Sequence, residues 1–287
     1  MSTSHTVERI VVKVSTHSVH GTHFRAHEPR GCLILQGAAG VGQSRYAALS
    51  GHLADEGISV LTYDYSGLGA SRTLPPGKSQ RRPSLWGRED QAAMIAWARA
   101  RYPGRRLSLL GHSLGGQILG FSPRVADIDR FVLVAAQCPY VGNWRDPGDR
   151  RKVQAIWSIL FPGACRVFGY LPSRVHGGDE AIPRAASAEG ERWATHPWRR
   201  LLDEPGVRDN LALIRAPVRA YSFSDDRLYA PREAVDVFTA GLTHAPVERL
   251  HLAPHEVGLD RIGHFGFFSR KSATLWRGLA EYLTLDS

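Results

Sequence analysis

Cysteine is scarce in this chain of 287 residues: only Cys32, Cys138 and Cys165 occur. An odd number without CxxC or other metal-like spacing argues against a disulfide framework, and reduced thiols in a cytoplasmic protein are the simplest reading. Long hydrophobic runs are missing too. None approaches the ~20 residues that span a bilayer, so stable membrane insertion is not expected. The segment Met1 to Ser15 has no basic stretch followed by an apolar region and passes into an alternating strand, Val7 to Val14. Internal repeats and low-complexity tracts are absent. The 43% hydrophobic content and the length suit one large domain with an insertion and require no second independent domain.

The charge is one-sided, at +9, which raises the question of nucleic acid. The basic clusters Arg81-Arg82, Arg105-Arg106, Arg150-Arg151-Lys152 and Arg199-Arg200 are scattered, however, and no RNA-binding aromatic signature or helix-turn-helix pattern accompanies them. Arg99 to Arg106 follow a predicted helix, where positive charge offsets the helix dipole. A nucleic-acid partner is therefore not expected.

What the chain does contain is the run Leu107-Ser108-Leu109-Leu110-Gly111-His112-Ser113-Leu114-Gly115-Gly116, an apolar strand leading through Gly-x-Ser-x-Gly into an apolar helix. That order describes a nucleophile elbow, whose tight turn lifts a serine hydroxyl above the sheet and needs glycine two residues to either side. Cys32 to Leu35 and Ile58 to Tyr63 read as buried strands ending in the glycine-rich loops Gln36-Gly37-Ala38-Ala39-Gly40 and Asp64 to Ser71. Gly87 to Tyr102 carries Ala92, Ile95, Ala96 and Ala100 at helical spacing before Pro103-Gly104. Arg130 to Ala136 gives a further buried strand. This alternation predicts an α/β fold with a mostly parallel central sheet and helices on both faces, with ligands at the carboxyl ends of its strands.

Through Gln36-Gly37-Ala38, Asp64 to Ser71, Gly111 to Gly116, Ser222 to Pro231 and Ile262-Gly263-His264, nearly the whole chain resembles the α/β-hydrolase superfamily. Within it, the chain looks most like bacterial serine aminopeptidase-like and monoglyceride-lipase-like hydrolases, through Ala38-Ala39-Gly40-Val41, Gly115 to Gly120, Ala135-Ala136-Gln137 and Gly263 to Phe268. One departure is Ser66, where relatives often carry arginine in an Asp-x-Arg-Gly loop, which puts that loop's salt bridge in doubt.

The resemblance implies an α/β-hydrolase core formed by residues 1–138 and 211–287, with residues 139–210 inserted as a helical cap over the active site. That insert is rich in Trp144, Trp157, Phe161, Phe168, Tyr170, Trp193 and Trp198, and Trp144, Trp157 and Trp193 are the candidates for a substrate pocket. A packed insertion whose aromatics only bury one another is the plainer alternative. Ser113 is the candidate nucleophile. His264 follows the strand Pro246 to Leu252, precedes a C-terminal helix and completes the chain order Ser, Asp, His. Asp225 and Asp226 both fit the acid, with loop position favouring Asp226 and leaving the other to cap a turn or the helix starting at Pro231. Leu114 N–H is one candidate oxyanion donor, and the resemblance selects Ala38 for the second. His112 is read as a packing or hydrogen-bonding residue. His251 and His255 are separated by Pro254, against a zinc pair, and Gly37-x-x-Gly40-x-Gly42 lacks the full dinucleotide pattern.

No cofactor or metal is expected. The implied function is serine hydrolysis of a carboxylic ester carrying an apolar acyl group, on a small-molecule substrate and through an acyl-enzyme. Thioester, amide and aminopeptidase-type substrates are the nearest alternatives, and a catalytically silent binding protein is a different one. Oligomeric state is not legible.

Overall fold

Four runs are dominated by apolar residues: Gly31–Gln36 (β3), Ile58–Tyr63 (β4), Arg106–His112 (β5) and Arg130–Val134 (β6). All of their residues are buried except Arg106. Strands buried on both faces belong inside a parallel sheet covered by helices. In the computed structural model, which describes residues 5–198 and 200–285, these runs form the centre of an eight-stranded sheet. His5–Val14 (β1) and His17–Ala26 (β2) form one edge, Val218–Phe223 (β9) and Val247–Leu252 (β10) the other, in the order β1-β2-β4-β3-β5-β6-β9-β10. Pairings from β4 through β10 are parallel, and β1 and β2 add on antiparallel. Two very short strands, Tyr170–Leu171 (β7) and Ile182–Pro183 (β8), pair with each other in the insert.

Each face has its own core. Leu49 and Leu53 of helix Ala47–Asp55 meet Trp276, Leu279 and Leu283 of helix Ala273–Thr284 on one side. On the other, Trp86 joins Met94, Ile95 and Ala98 of helix Ala92–Arg101. This helix begins with a widened π-type stretch, Trp86–Gln91, where sequence spacing alone suggests one regular helix from Gly87. The apolar helix expected after Ser113 is short: Leu114–Gln117 is α-helical and Ile118–Phe121 tightens to a 3-10 turn. Gly115, Gly116 and Gly120 lie within it, and glycine is a poor helix former.

Between β6 and β9 the chain departs from the strand-helix rhythm. It holds the helices Pro147–Ala155, Phe161–Phe168 and Arg184–Thr195, with the β7/β8 pair between the last two. Residues from this insert and from the loops at the carboxyl ends of β3, β5, β6 and β9 line one shared cavity. Of the segments singled out in the sequence, Met1 to Ser4 and Arg199 lie outside the described residues. All three cysteines are free and buried. No helix among the described residues is long and apolar enough to cross a membrane.

Candidate active site

The turn after β5 holds Ser113 at φ 52° and ψ −115°. Only Ser113 and Ala135, among non-glycine described residues, have positive φ. Such backbone strain persists where the surroundings over-determine it, and it gathers at functional sites. Close approach explains the flanking glycines. A Cβ on Gly111 would lie 2.5 Å from Gly116 N, and one on Gly115 would lie 2.2 Å from Gln36 O. Ser113 N–H donates to Val134 O (2.9 Å), which fixes the turn against β6. Ser113 and His264 both line the cavity, and the Ser113 hydroxyl has no hydrogen-bond partner among the described residues.

His264 is brought to the site by the loop between β10 and the C-terminal helix. Its Nδ1 bonds to Asp226 Oδ2 at 2.6 Å, with both side chains almost fully buried. Asp226 is held in place by its other oxygen, which accepts from Ala230 N–H (3.3 Å). Asp225 has a different task. Its carboxylate accepts the Ile262 and Gly263 N–H groups (each 2.9 Å), so it anchors the loop that carries His264 and does not cap the helix Arg232–Ala240. Sequence adjacency gave no hint of that contact. Tyr229 was also missed as a site residue: its ring stacks on His264 with centroids 4.9 Å apart, and Phe265 packs edge-on at 5.0 Å.

His112 lies behind the site as a buried hydrogen-bonding residue. Ala38 N–H donates to Tyr46 Oη (2.8 Å), whose own proton is then directed to His112 Nδ1 (2.9 Å). His112 Nε2–H in turn donates to the His264 carbonyl (2.9 Å). This chain requires neutral imidazole, and burial together with the nearby His264 holds the His112 pKa well below the ordinary histidine value. The chain also corrects the expectation that Ala38 offers a free oxyanion donor, because its N–H is committed to Tyr46. Ala39, the next residue, lines the cavity, and its N–H donates no hydrogen bond among the described residues.

Neutral burial of His112 has a measurable consequence. The unfolded histidine takes up a proton below its ordinary value of about 6.5, whereas the native one resists it. Stability is therefore at its plateau above that pH and declines as pH falls below it. We expect the melting temperature to drop between pH 7 and 5 and the drop to be shallower in His112→Gln. Each proton bound only by the unfolded state contributes a slope of about 1.4 kcal/mol per pH unit. Identical pH profiles for the two proteins would contradict a neutral buried His112.

The cavity encloses about 150 Å³. Trp144, Trp157 and Trp193 reach its wall together with Trp86 and Phe161, whereas Trp198 and Phe168 of the insert are exposed. The loop after β3 is tied to the insert at Gly40, whose carbonyl accepts the N–H groups of both Asp179 and Glu180 (2.8 Å each). Ion pairs from Arg45 to Asp179 and from Arg72 to Glu180 reinforce the junction. In the Asp64 loop, Gln43 takes the place of a salt bridge: its N–H and Nε2 both donate to the Asp64 carboxylate (2.9 Å each).

His17, Glu89 and Asp90 are the cluster with metal-like proximity among the described residues. The Arg81 guanidinium occupies it, contacting His17 and Glu89 (2.7 Å), and Asp90 accepts Ser66 N–H (2.7 Å). A cation would have to displace an arginine, so the cluster reads as an ion-pair network. His251 is engaged by Ser222 Oγ (2.9 Å).

The parallel sheet, the strained serine turn at its switch point and the buried His-Asp pair at its carboxyl edge define the α/β-hydrolase fold. Residues 27–164 match the profile of a family described as serine aminopeptidase, S33. Among solved structures, an esterase of Pyrococcus furiosus is similar with a TM-score of 0.60 at 15% identity, covering 98% of this chain and 92% of that one. The esterase domain of a Rhodothermus marinus protein gives 0.61 at 15%, covering 97% and 98%. A thermostable carboxyl esterase from Bacillus coagulans gives 0.59 at 12%, covering 96% and 97%. At these identities the likeness is one of fold. A search of curated proteins found no match.

Proposed function

We propose that this protein is a serine hydrolase that cleaves carboxylic esters of small, largely apolar acyl groups through an acyl-enzyme. The observation that carries the reading is the meeting of Ser113, at its strained turn, and the Asp226-bound His264 in one apolar cavity. His264 Nε2 takes the Ser113 proton as Oγ attacks the ester carbonyl, then delivers it to the departing alkoxide. Water, activated by the same nitrogen, releases the acid and restores Ser113. Asp226 keeps the proton of neutral His264 on Nδ1 and stabilises the imidazolium that forms, and the face of Tyr229 adds a cation–π contribution. Leu114 N–H and the N–H of Ala39 are the oxyanion donors in this reading. Residues 139–210 act as the cap that closes the acyl pocket.

Ester substrates are favoured over free amino termini because no carboxylate among the described residues lines the cavity to hold an ammonium group. A volume near 150 Å³ is of the order that holds a benzene-sized molecule, which suits short acyl chains. The test is intact-mass detection of one fluorophosphonate adduct, combined with hydrolysis of an ester, thioester, amide and peptide panel. A single adduct with short esters leading the panel is expected. Absence of both adduct and turnover would overturn the reading in favour of a binding protein.

Trp157 tests the pocket. It is half-buried and packs edge-on against Phe161 at 5.0 Å, so it is less embedded in the fold than Trp193. Trp157→Leu should shift kcat/KM toward longer acyl chains by roughly 10–200-fold, about 1–3 kcal/mol, while labelling persists. A melting-temperature loss with unchanged chain-length preference would instead identify Trp157 as packing alone.

A further inference from the structure

Gln137 stands out among the residues the mechanism does not use. It lies three residues beyond Val134, whose carbonyl accepts the Ser113 N–H, and it lines the same cavity as Ser113 and His264. The residue is more than nine-tenths buried, and its Oε1 has no hydrogen-bond partner among the described residues. Buried polar atoms are nearly always paired, so an orphaned amide oxygen on a residue that lines a cavity calls for an explanation. A second observation lies in the backbone. Ala135, two residues earlier, sits at φ 52°, the only non-glycine besides Ser113 to do so among the described residues. It is held there with its N–H on Tyr221 O (2.9 Å). Thus the two strained positions end adjacent strands. One presents the candidate nucleophile, and the other turns the chain into the segment that carries the unpaired amide oxygen. Gln117, from the helix after the elbow, adds a second amide to a wall otherwise dominated by aromatic and aliphatic groups.

Resting on the ester-hydrolase reading, we propose that Gln137 is a specificity-determining residue, and that the substrate's acyl portion carries a hydrogen-bond donor, a hydroxyl or an amide N–H, which Gln137 Oε1 accepts. A purely hydrocarbon acyl group would leave that oxygen as it stands, desolvated and unpaired. A donor-bearing acyl group satisfies it inside an aromatic frame that fixes its position. Sites built to hydrogen-bond a substrate group reject the analogue lacking it more strongly than apolar pockets reject a change of size.

Two matched pairs of p-nitrophenyl esters read this directly: 3-hydroxybutanoate against 3-methylbutanoate, and N-acetylglycinate against 4-oxopentanoate, which exchange O–H for CH₃ and N–H for CH₂. In at least one pair the donor-bearing ester should lead by about tenfold or more in kcat/KM. Gln137→Leu should remove that lead without lowering the melting temperature, since it deletes a buried amide oxygen that has no partner. Gln137→Met supplies the same contrast if the leucine variant folds poorly. Ratios unchanged in the variants would overturn the proposal, as would wild-type ratios near one in both pairs. Binding provides a readout independent of turnover: on Ser113→Ala, methyl 3-hydroxybutanoate should raise the melting temperature more than methyl 3-methylbutanoate, and Gln137→Leu should equalise the two. A protein with no ester turnover but this binding contrast would retain the Gln137 assignment and lose the hydrolase reading. Equal shifts before the substitution would have the reverse meaning.

Discussion

Ser113→Ala should lower turnover by on the order of 10⁴–10⁶ and abolish the fluorophosphonate adduct. The expectation follows from the way such a site works as a unit: without Oγ there is no acyl-enzyme, and His264 has nothing to deprotonate except water. The oxyanion donors and the pocket remain, so a residual rate above solution hydrolysis should survive. Alanine also inherits the φ of 52° at this turn, so the variant should fold like the parent and the loss should appear in kcat. Undiminished labelling of Ser113→Ala would remove Ser113 from its assigned place.

The second large effect separates two neighbouring aspartates. Asp226→Asn should reduce kcat by up to about 10⁴, because an amide beside His264 Nδ1 favours the wrong tautomer and leaves the imidazolium without its counter-charge. The bond concerned is 2.6 Å long and buried. Asp225→Asn removes charge from an acceptor of two backbone N–H groups. Hydrogen bonds to charged groups are worth about 1.5–3 kcal/mol, so this variant should lose melting temperature and only modest activity. Parallel measurement of kcat and thermal stability gives each substitution its own signature, and the opposite ranking would transfer the acid's role to Asp225.

Why the sequence revealed one aspartate's neighbourhood and not the other's is a matter of which groups meet, since Asp226 and His264 also lie 38 residues apart but are both side chains whose chain order is a recognisable signal. The elbow and the central strands are local patterns: apolar runs ending in glycine leave few alternatives once burial on both faces is required. The contact of Asp225 with Ile262 and Gly263 spans 37 and 38 residues and involves backbone N–H groups, which carry no side-chain signal. Tyr46 was illegible because it accepts a backbone N–H, that of Ala38, and meets His112, 66 residues away, through a pairing that no motif marks. The histidine-rich strand β2 escaped notice because polarity masked it. Its buried His23 is satisfied by Glu8 and Tyr102, partners that only the folded hairpin and a distant helix end supply. Spacing likewise cannot tell a regular helix from the π-type stretch at Trp86 or the early tightening at Ile118. Chain order nevertheless singled out His264 from thirteen histidines, and the fold brings it to Asp226.

The doubly bonded Gly40 carbonyl has a mechanical meaning. A turn of the insert that lifts away to exchange ligand must release Gly40 and break the Asp179 and Glu180 bridges together. The freed carbonyl lies one residue from Ala39 and two from Ala38, in the backbone that borders the reacting carbonyl. In the function proposed here, admission of substrate and readiness to hold its developing negative charge would therefore be geared to each other, and widening the pocket alone would leave that gearing intact.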